Sequence, residues 1–389
     1  MALLREGTVG ILPAGALGVA FFFHLTRGLH AAEGRVFLVA REGSMSGAAL
    51  RAAARLHVVE NGVLHDVAGA EWFAPDLRTC AAEARLPEVL LVCTQPDQLL
   101  GVIAEWVRLF ETLHARGGDA VPELPVLVLA SNGIYFQRVR QVLIEKLEES
   151  TLLGRLPDLW PETMPRLVAR LLRGVTIQTG QREGAGADAV YRPGARGLTR
   201  LAGGAPALRA RCAEVLGAFG AWCELAGDAT PTRVEFDKAL VNLLANLLGQ
   251  LAAIDDAGHF HPLSVAQILA ALGENEVREL VTRVVEIGKA VHAYAPGETL
   301  APILAEALAG LHQHDTHVPS SLQWIDTQLR HGTLRPRLTP TESWLLDPLI
   351  RYAHAAGLED AAQYFDALTR RVEHRLALAI AAGAKIFGR

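Results

Sequence analysis

Lys238, Asn242 and Asn246 stand four residues apart in the row 238-KALVNLLAN-246, among leucine, alanine and valine. A four-residue step nearly completes a helical turn. The three side chains therefore drift only about 80° around a helix and climb about 12 Å along it. A stripe that merely meets water usually carries Glu, Lys and Arg. Asparagine has modest helix propensity and seeks hydrogen-bond partners. Two readings follow. The stripe lines a polar cleft, where a lysine protonates a developing alkoxide or orients a carboxylate. Alternatively, it is a partly buried structural network between helices.

A second place with chemical potential is the turn 13-PAGALG-18. Dinucleotide-binding turns read G-x-G-x-x-G, one glycine for the tight turn, one for pyrophosphate approach and one for helix–strand contact. Here Gly15 and Gly18 hold the second and third positions and Pro13 the first. Proline fixes φ and removes an N–H, so the turn survives if that position needs neither positive φ nor a donor. Gly15, Ala16 and the helix start then supply an anion site. The competing reading is a buried strand–helix turn with no ligand. At the end of the second strand Arg41 suits the 2′-phosphate of NADP, while Glu42 leaves room for NAD.

These residues need elements to hold them. The run 8-TVGIL-12 reads as a buried strand, about 16–28 as a helix and 35-RVFLVA-40 as a second strand. Strand, turn, helix and strand in about 33 residues make one βαβ unit. That continuation argues against reading 8–25 as a targeting signal, whose positive n-region is also poor. Further strands are expected at 56-LHVVENG-62, 88-EVLLVC-93 and 125-PVLVLA-130, with a helix over 97–115. Alternating buried strands and helices predict an α/β fold with a parallel sheet. Short strands are expected within 173–180, 189–194 and 198–203, and long Ala/Leu-rich helices from Pro206 onward. The expected organisation is an N-terminal Rossmann-type dinucleotide-binding domain, 1–205, and an all-helical substrate domain, 206–389.

Composition narrows the function classes. The chain has 389 residues and a formal net charge of −5, with no long basic run, which argues against nucleic acid. The N-terminal apolar run is short and broken by Pro13, Gly15 and Gly18, which argues against a membrane span. Cys80, Cys93, Cys212 and Cys223 show no C-x-x-C spacing and read as reduced thiols, suiting a cytoplasmic location. The row 312-HQHDTH-317 carries metal-capable side chains, but such clusters in polar loops are usually solvated, so no metal is expected. The C-terminal helix, about 359–386, is expected to pack on its own domain or on a second subunit in a homodimer.

Taken together, these residues resemble the ketopantoate reductases, within the 6-phosphogluconate-dehydrogenase-like superfamily. The resemblance runs along nearly the whole chain. The turn 15-GALG-18 matches that family's phosphate loop, and 131-SNGI-134 resembles its Asn-Gly motif beside the nicotinamide. The stretch 173-RGVT-176 resembles the approach to its domain boundary. Lys238, Asn242 and Asn246 match its Lys-x3-Asn-x3-Asn helix, the most specific element. The segment 319-PSSLQ-323 resembles its Pro-Ser-x-Leu-Gln stretch and points to Ser320 rather than Ser321. The helix 341-TESWLLDPLIRYAHAAG-357 puts the acidic residue at Glu342.

The resemblance implies NADPH-dependent reduction of 2-dehydropantoate to pantoate, a step toward pantothenate. It implies Lys238 as general acid toward the keto oxygen, with Glu342 hydrogen-bonding the reacting hydroxyl region. Asn132, Asn242, Asn246 and Ser320 would hold substrate or nicotinamide ribose, and Gly15, Ala16, Gly18, Arg41 and Gln95 would line the cofactor. Three positions depart from the pattern: Pro13 for the first glycine, Gln95 for a lysine near the cofactor, and Trp324 for an aspartate. The departures leave open a related 2-hydroxy acid dehydrogenase with another substrate, or a catalytically silent NADP-binding protein.

Overall fold

The computed structural model describes residues 4–27, 35–41, 43–117, 122–152, 162–184, 186–220 and 222–386. The run 8–12 is fully buried and forms the end of β1 (Leu4–Leu12). It lies between two parallel neighbours, β2 (Val36–Val39) and β6 (Leu86–Val92), with Val9 opposite Val36 on one side and Val89 on the other. Strands covered on both faces need unbroken apolar runs, and VGIL, VFLV and VLLV supply them. The helix Ala16–Thr26 packs Phe21, Phe22 and Phe23 into the same core. Burial of each such side chain contributes about 1.5–3 kcal/mol.

The remaining strands fall into two sheets. The large one adds β5 (Phe73–Ala74), β7 (Val126–Leu129), β8 (Leu171–Thr176), β11 (Thr199–Gly203) and β12 (Cys223–Leu225). Its order is β12-β11-β8-β7-β6-β1-β2-β5. From β5 to β8 the strands are parallel, and numbered along the chain they run 3-2-1-4-5-6 across the sheet, the doubly wound arrangement. β11 runs antiparallel to β8. The order reverses between β1 and β6, and ligands of such sheets bind beyond the carboxyl ends of the strands at that reversal.

The expected strand at 56–62 does not join this sheet. As β3 (Arg55–Glu60) it pairs with β4 (Val63–Ala68) and β10 (Val190–Pro193), and β9 (Gly180–Glu183) completes a four-stranded sheet. The reason is its alternation: Leu56 and Val58 are buried, while Arg55, His57 and Val59 are not. A strand with one apolar face cannot sit in the middle of a doubly covered parallel sheet.

The first compact unit comprises 1–132 and 136–231, and the second 133–135 and 232–389. The compact units thus divide near 231, whereas the sequence pattern predicts a boundary near 205. The helix Pro206–Gly217 buries Cys212, Val215 and Leu216 in the same core as Val9 and Ile11, and β12 extends the large sheet. Ala/Leu-rich helical composition does not say which core a helix joins. Among the described residues from 232 onward, the second unit's regular elements are all helical, with one isolated β-bridge, Ile254 to Phe260. Its core gathers Phe236, Leu240, Leu244, Leu346, Leu349 and Phe365. Among the described residues no helix is long and apolar enough to cross a membrane.

A Cβ at Gly18 would lie 2.0 Å from the Pro13 carbonyl oxygen, where backbone cannot give way. Gly18→Ala is therefore expected to lower stability by roughly 1–3 kcal/mol or to prevent folding. A Cβ at Gly15 would meet only Pro13 Cγ, at 3.9 Å, so Gly15→Ala is expected to leave stability nearly unchanged. Urea unfolding of the two variants checks this, and equal midpoints would refute the close approach.

Candidate active site

The residues with cofactor potential sit at strand ends of the first unit. The turn Pro13–Gly15 follows β1, Arg41 follows β2, Gln95 follows β6 and Asn132 follows β7. The peptide bond before Pro13 is cis. Gly15 is the N-cap of the helix 16–26 and Ala16 its first residue. The N-cap glycine has no side chain to bond the first-turn N–H groups of that helix. Tyr191 pins the turn from the small sheet, its hydroxyl donating to the Ala14 carbonyl at 3.1 Å. Beside Gln95, Thr94 is buried, and its Oγ1 finds no hydrogen-bond partner among the described residues.

An open glycine, an uncapped helix start and an orphaned buried hydroxyl fit a dinucleotide along this edge. Arg41 is half-buried and forms no ion pair among the described residues. Its carbonyl accepts from Ser44 N at 3.0 Å, and Ser44 caps the next helix. Glu42 lies outside the described residues. Gln95 is exposed at the start of a short 3-10 turn, Pro96–Gln98.

Arg173, quoted in the sequence only as part of a motif, has a definite task. It is buried on β8, and its guanidinium donates to the carbonyls of Leu129 (2.6 Å), Ser131 (2.8 Å) and its own neighbour Gly174 (3.1 Å). That grip fixes the end of β7 immediately before Asn132. The signal available in sequence was a lone arginine inside the apolar strand 171-LLRGVT-176.

The second unit carries the polar stripe. Lys238 and Asn242 lie on the helix Pro231–Asn242. Asn246 falls in a π-helical turn, Leu243–Leu247, that passes into the helix Leu248–Ala253. A π turn closes i→i+5, rotates less per residue and often marks functional positions. It thereby limits the drift that a pure α-helix would put between Asn242 and Asn246. Asn246 Nδ2 points to Asn242 Oδ1 at 3.5 Å. Asn242 is buried and its Nδ2 has no partner among the described residues. Such a donor costs about 1–3 kcal/mol unless something accepts from it.

Lys238 is half-buried and makes no hydrogen bond or ion pair among the described residues. Desolvation alone pulls its pKa down to about 8.

The serine that the structure brings to the stripe is Ser321, while the expected residue, Ser320, stands beside it. Both open the helix Ser320–His331, but Ser320 is exposed. Ser321 is buried, and its hydroxyl donates to Asn246 Oδ1 at 3.0 Å. One residue of helix is a 100° rotation, so Ser320 and Ser321 face different directions although they are adjacent in sequence. Trp324, one turn beyond Ser321, leaves 37 % of its surface exposed.

Glu342 is the N3 residue of a capping box that starts the helix Pro340–Ala355. Its Oε2 accepts from Thr339 N at 2.9 Å and from Thr339 Oγ1, and its Oε1 accepts from Gln250 Nε2 at 2.5 Å. Burial pushes its pKa up, against the opposing pull of the Thr339 and Gln250 donors. Gln250 was missed in the sequence although it continues the spacing: 238, 242, 246, 250. The stripe helix also carries buried Glu235, whose Oε1 accepts from Tyr135 N at 3.2 Å. Trp344 O accepts from Ile134 N at 2.9 Å. Both bonds clamp the short segment that follows Asn132. In the histidine-rich row, His312 Nδ1 meets Asp315 Oδ1 at 3.1 Å, and among the described residues no three His, Cys, Asp or Glu side chains are placed to hold a metal ion together.

No model of a known protein family matches the chain, and neither does any curated protein. Solved structures do. D-mandelate dehydrogenase, determined with NADH and anilino(oxo)acetate, aligns with a TM-score of 0.62 at 18% identity, over 95% of this chain and 99% of that one. The 2-dehydropantoate 2-reductase of Porphyromonas gingivalis W83 aligns with a TM-score of 0.55 at 16% identity, over 94% and 98%. The dimeric ketopantoate reductase of Staphylococcus aureus aligns with a TM-score of 0.54 at 14% identity, over 94% and 99%. The chain has the ketopantoate-reductase fold. The expected α/β class, with a Rossmann-type sheet followed by helices, is the class of these ketopantoate reductases.

Because Lys238 loses its proton near pH 8 in the folded chain but only near 10.5 when unfolded, its charge disfavours folding at neutral pH. Lys238→Met is therefore expected to raise the melting temperature at pH 7. The gain should shrink as pH rises from about 8 toward 10.5, where the wild-type folded chain has shed a proton that the unfolded chain still holds. A gain that does not change with pH would show that Lys238 is not desolvated.

Proposed function

We propose that this chain reduces a 2-keto acid with NADPH, and that 2-dehydropantoate is its substrate. The observation that carries the reading is the pairing of a desolvated lysine free of ion pairs among the described residues with the partnerless Nδ2 of Asn242 on one helical stripe. A buried structural network would satisfy its own donors. A stripe that keeps a donor and an ammonium unspent is prepared for an oxygen-rich ligand.

In this reading Gly15, Ala16, Gly18, Arg41, Gln95 and Asn132 hold the dinucleotide, with Arg41 on the 2′-phosphate, and the reduced nicotinamide supplies the hydride. Lys238 gives a proton to the keto oxygen as it becomes an alkoxide. Asn242 and Asn246 hold the substrate oxygens, Ser321 orients Asn246, and Glu342 stands at the acidic end of the stripe. A second reading keeps the chemistry and changes the side chain. Trp324 presents an exposed indole one turn from Ser321, and the D-mandelate dehydrogenase structure supports a bulkier 2-keto acid.

The test is turnover of NADPH and NADH with a panel of 2-keto acids, followed by absorbance of the reduced nicotinamide. Ketopantoate as best substrate supports the first reading, and aryl keto acids as best substrates support the second. Absence of dinucleotide binding at micromolar concentration would sink both and leave a silent member of the fold. Lys238→Ala is expected to cut kcat/KM by about 10²-fold or more. Arg41→Ala should weaken NADPH but not NADH.

The pH dependence has a sign. Reduction needs Lys238 protonated, so its rate should fall as pH rises through about 8, and the reverse oxidation should rise over the same range. A flat reductive profile between pH 7 and 9 would remove Lys238 as the acid.

A further inference from the structure

Gln250 closes a polar series that the proposed chemistry leaves unexplained at its far end. It lies four residues beyond Asn246 on the stripe helix and is 1% exposed. A primary amide at such depth needs a partner, and the partner is Glu342, itself 2% exposed. Three donors converge on that carboxylate: Gln250 Nε2 on one oxygen, and the backbone N–H and hydroxyl of Thr339 on the other. Both oxygens are thus engaged, one by each of two elements that meet here.

We propose that Gln250 is a positioning residue, whose amide holds the Glu342 carboxylate in one orientation at the end of the Lys238–Asn242–Asn246 stripe. This inference rests on the reading of the stripe as catalytic. Glu342 belongs to the capping box of the helix 340–355, whose Trp344 carbonyl grips Ile134, two residues after Asn132. Fixing the carboxylate therefore fixes the helix start as well as the charge. The groups acting on Glu342 are Thr339 on its own helix and Gln250 on the facing one, and no charged side chain among the described residues adds to them. The amide donor favours the ionised carboxylate, while burial favours the acid. Losing the donor tips that balance toward the acid.

Gln250→Met keeps length and volume and removes the donor. Gln250→Glu keeps the shape and sets a second carboxylate against the first. With the full chain, the acid limb of the kcat/KM profile is expected to move up by about one pH unit in Gln250→Met and further in Gln250→Glu. The dissociation constant for the reduced dinucleotide should stay within about twofold, because neither Gln250 nor Glu342 is among the residues assigned to hold it. An unmoved acid limb in both folded variants, whatever their melting temperatures, overturns the proposal.

If the wild-type chain reduces no 2-keto acid, it is the functional reading that fails, and the positioning role is read from stability instead. A buried carboxyl with a raised pKa costs stability as pH rises above its ordinary value of 4.5. Without the amide that cost is larger. The melting-temperature deficit of Gln250→Met should therefore grow between about pH 4.5 and pH 7. A deficit independent of pH means that Gln250 only fills space, and overturns the proposal.

Discussion

The candidate site depends on holding an ammonium group on a helix that is largely packed into an apolar core. Phe236, Ala239, Leu240, Leu243 and Leu244 bury the sides of this helix in the core of the second unit. Lys238 emerges only part of the way, and loss of water lowers its affinity for a proton. That cost is borne by the whole helical unit. Its companions on the stripe are uncharged amides, which do not stabilise the ammonium as a carboxylate would. An Asp or Glu in their place would raise the lysine's pKa again.

The π-helical turn belongs to the same economy. Continuous α-helix would let the polar residues wander around the axis over three turns. Widening the turn at Leu243–Leu247 checks that drift, and Ser321 then reaches Asn246 from a separate helix. Thr339 and Gln250 do the equivalent for Glu342. At the stripe, Asn246, Gln250 and Glu342 are satisfied by neighbours, while Asn242 Nδ2 has no partner among the described residues.

The first unit solves a different problem by contact rather than charge. Gly18 allows the helix 16–26 to lie against the Pro13 carbonyl, and Gly15 leaves the turn open. Proline in place of the first glycine is compatible with this arrangement, because the close approach falls on Gly18 and the open position on Gly15. The same fold in solved structures at 14 to 18% identity shows how little of the sequence such an arrangement constrains.

The sequence alone was enough to place the buried parallel strands, the turn 13–18 and the stripe at four-residue spacing. These are local properties: an apolar run or a helical period is written in consecutive residues. It also identified Lys238, Asn242 and Asn246 as companions, since one helix sets their common face. Tertiary structure decided the rest. It put β3 into a second sheet, divided the compact units near residue 231, brought Ser321 to Asn246 and gave Gln250 its partner. Those choices rest on atoms far apart in the chain. Ser321 meets a residue 75 positions away and Gln250 one 92 away. Spacing within a helix says which way a side chain faces, but only packing brings the partner that makes that direction matter.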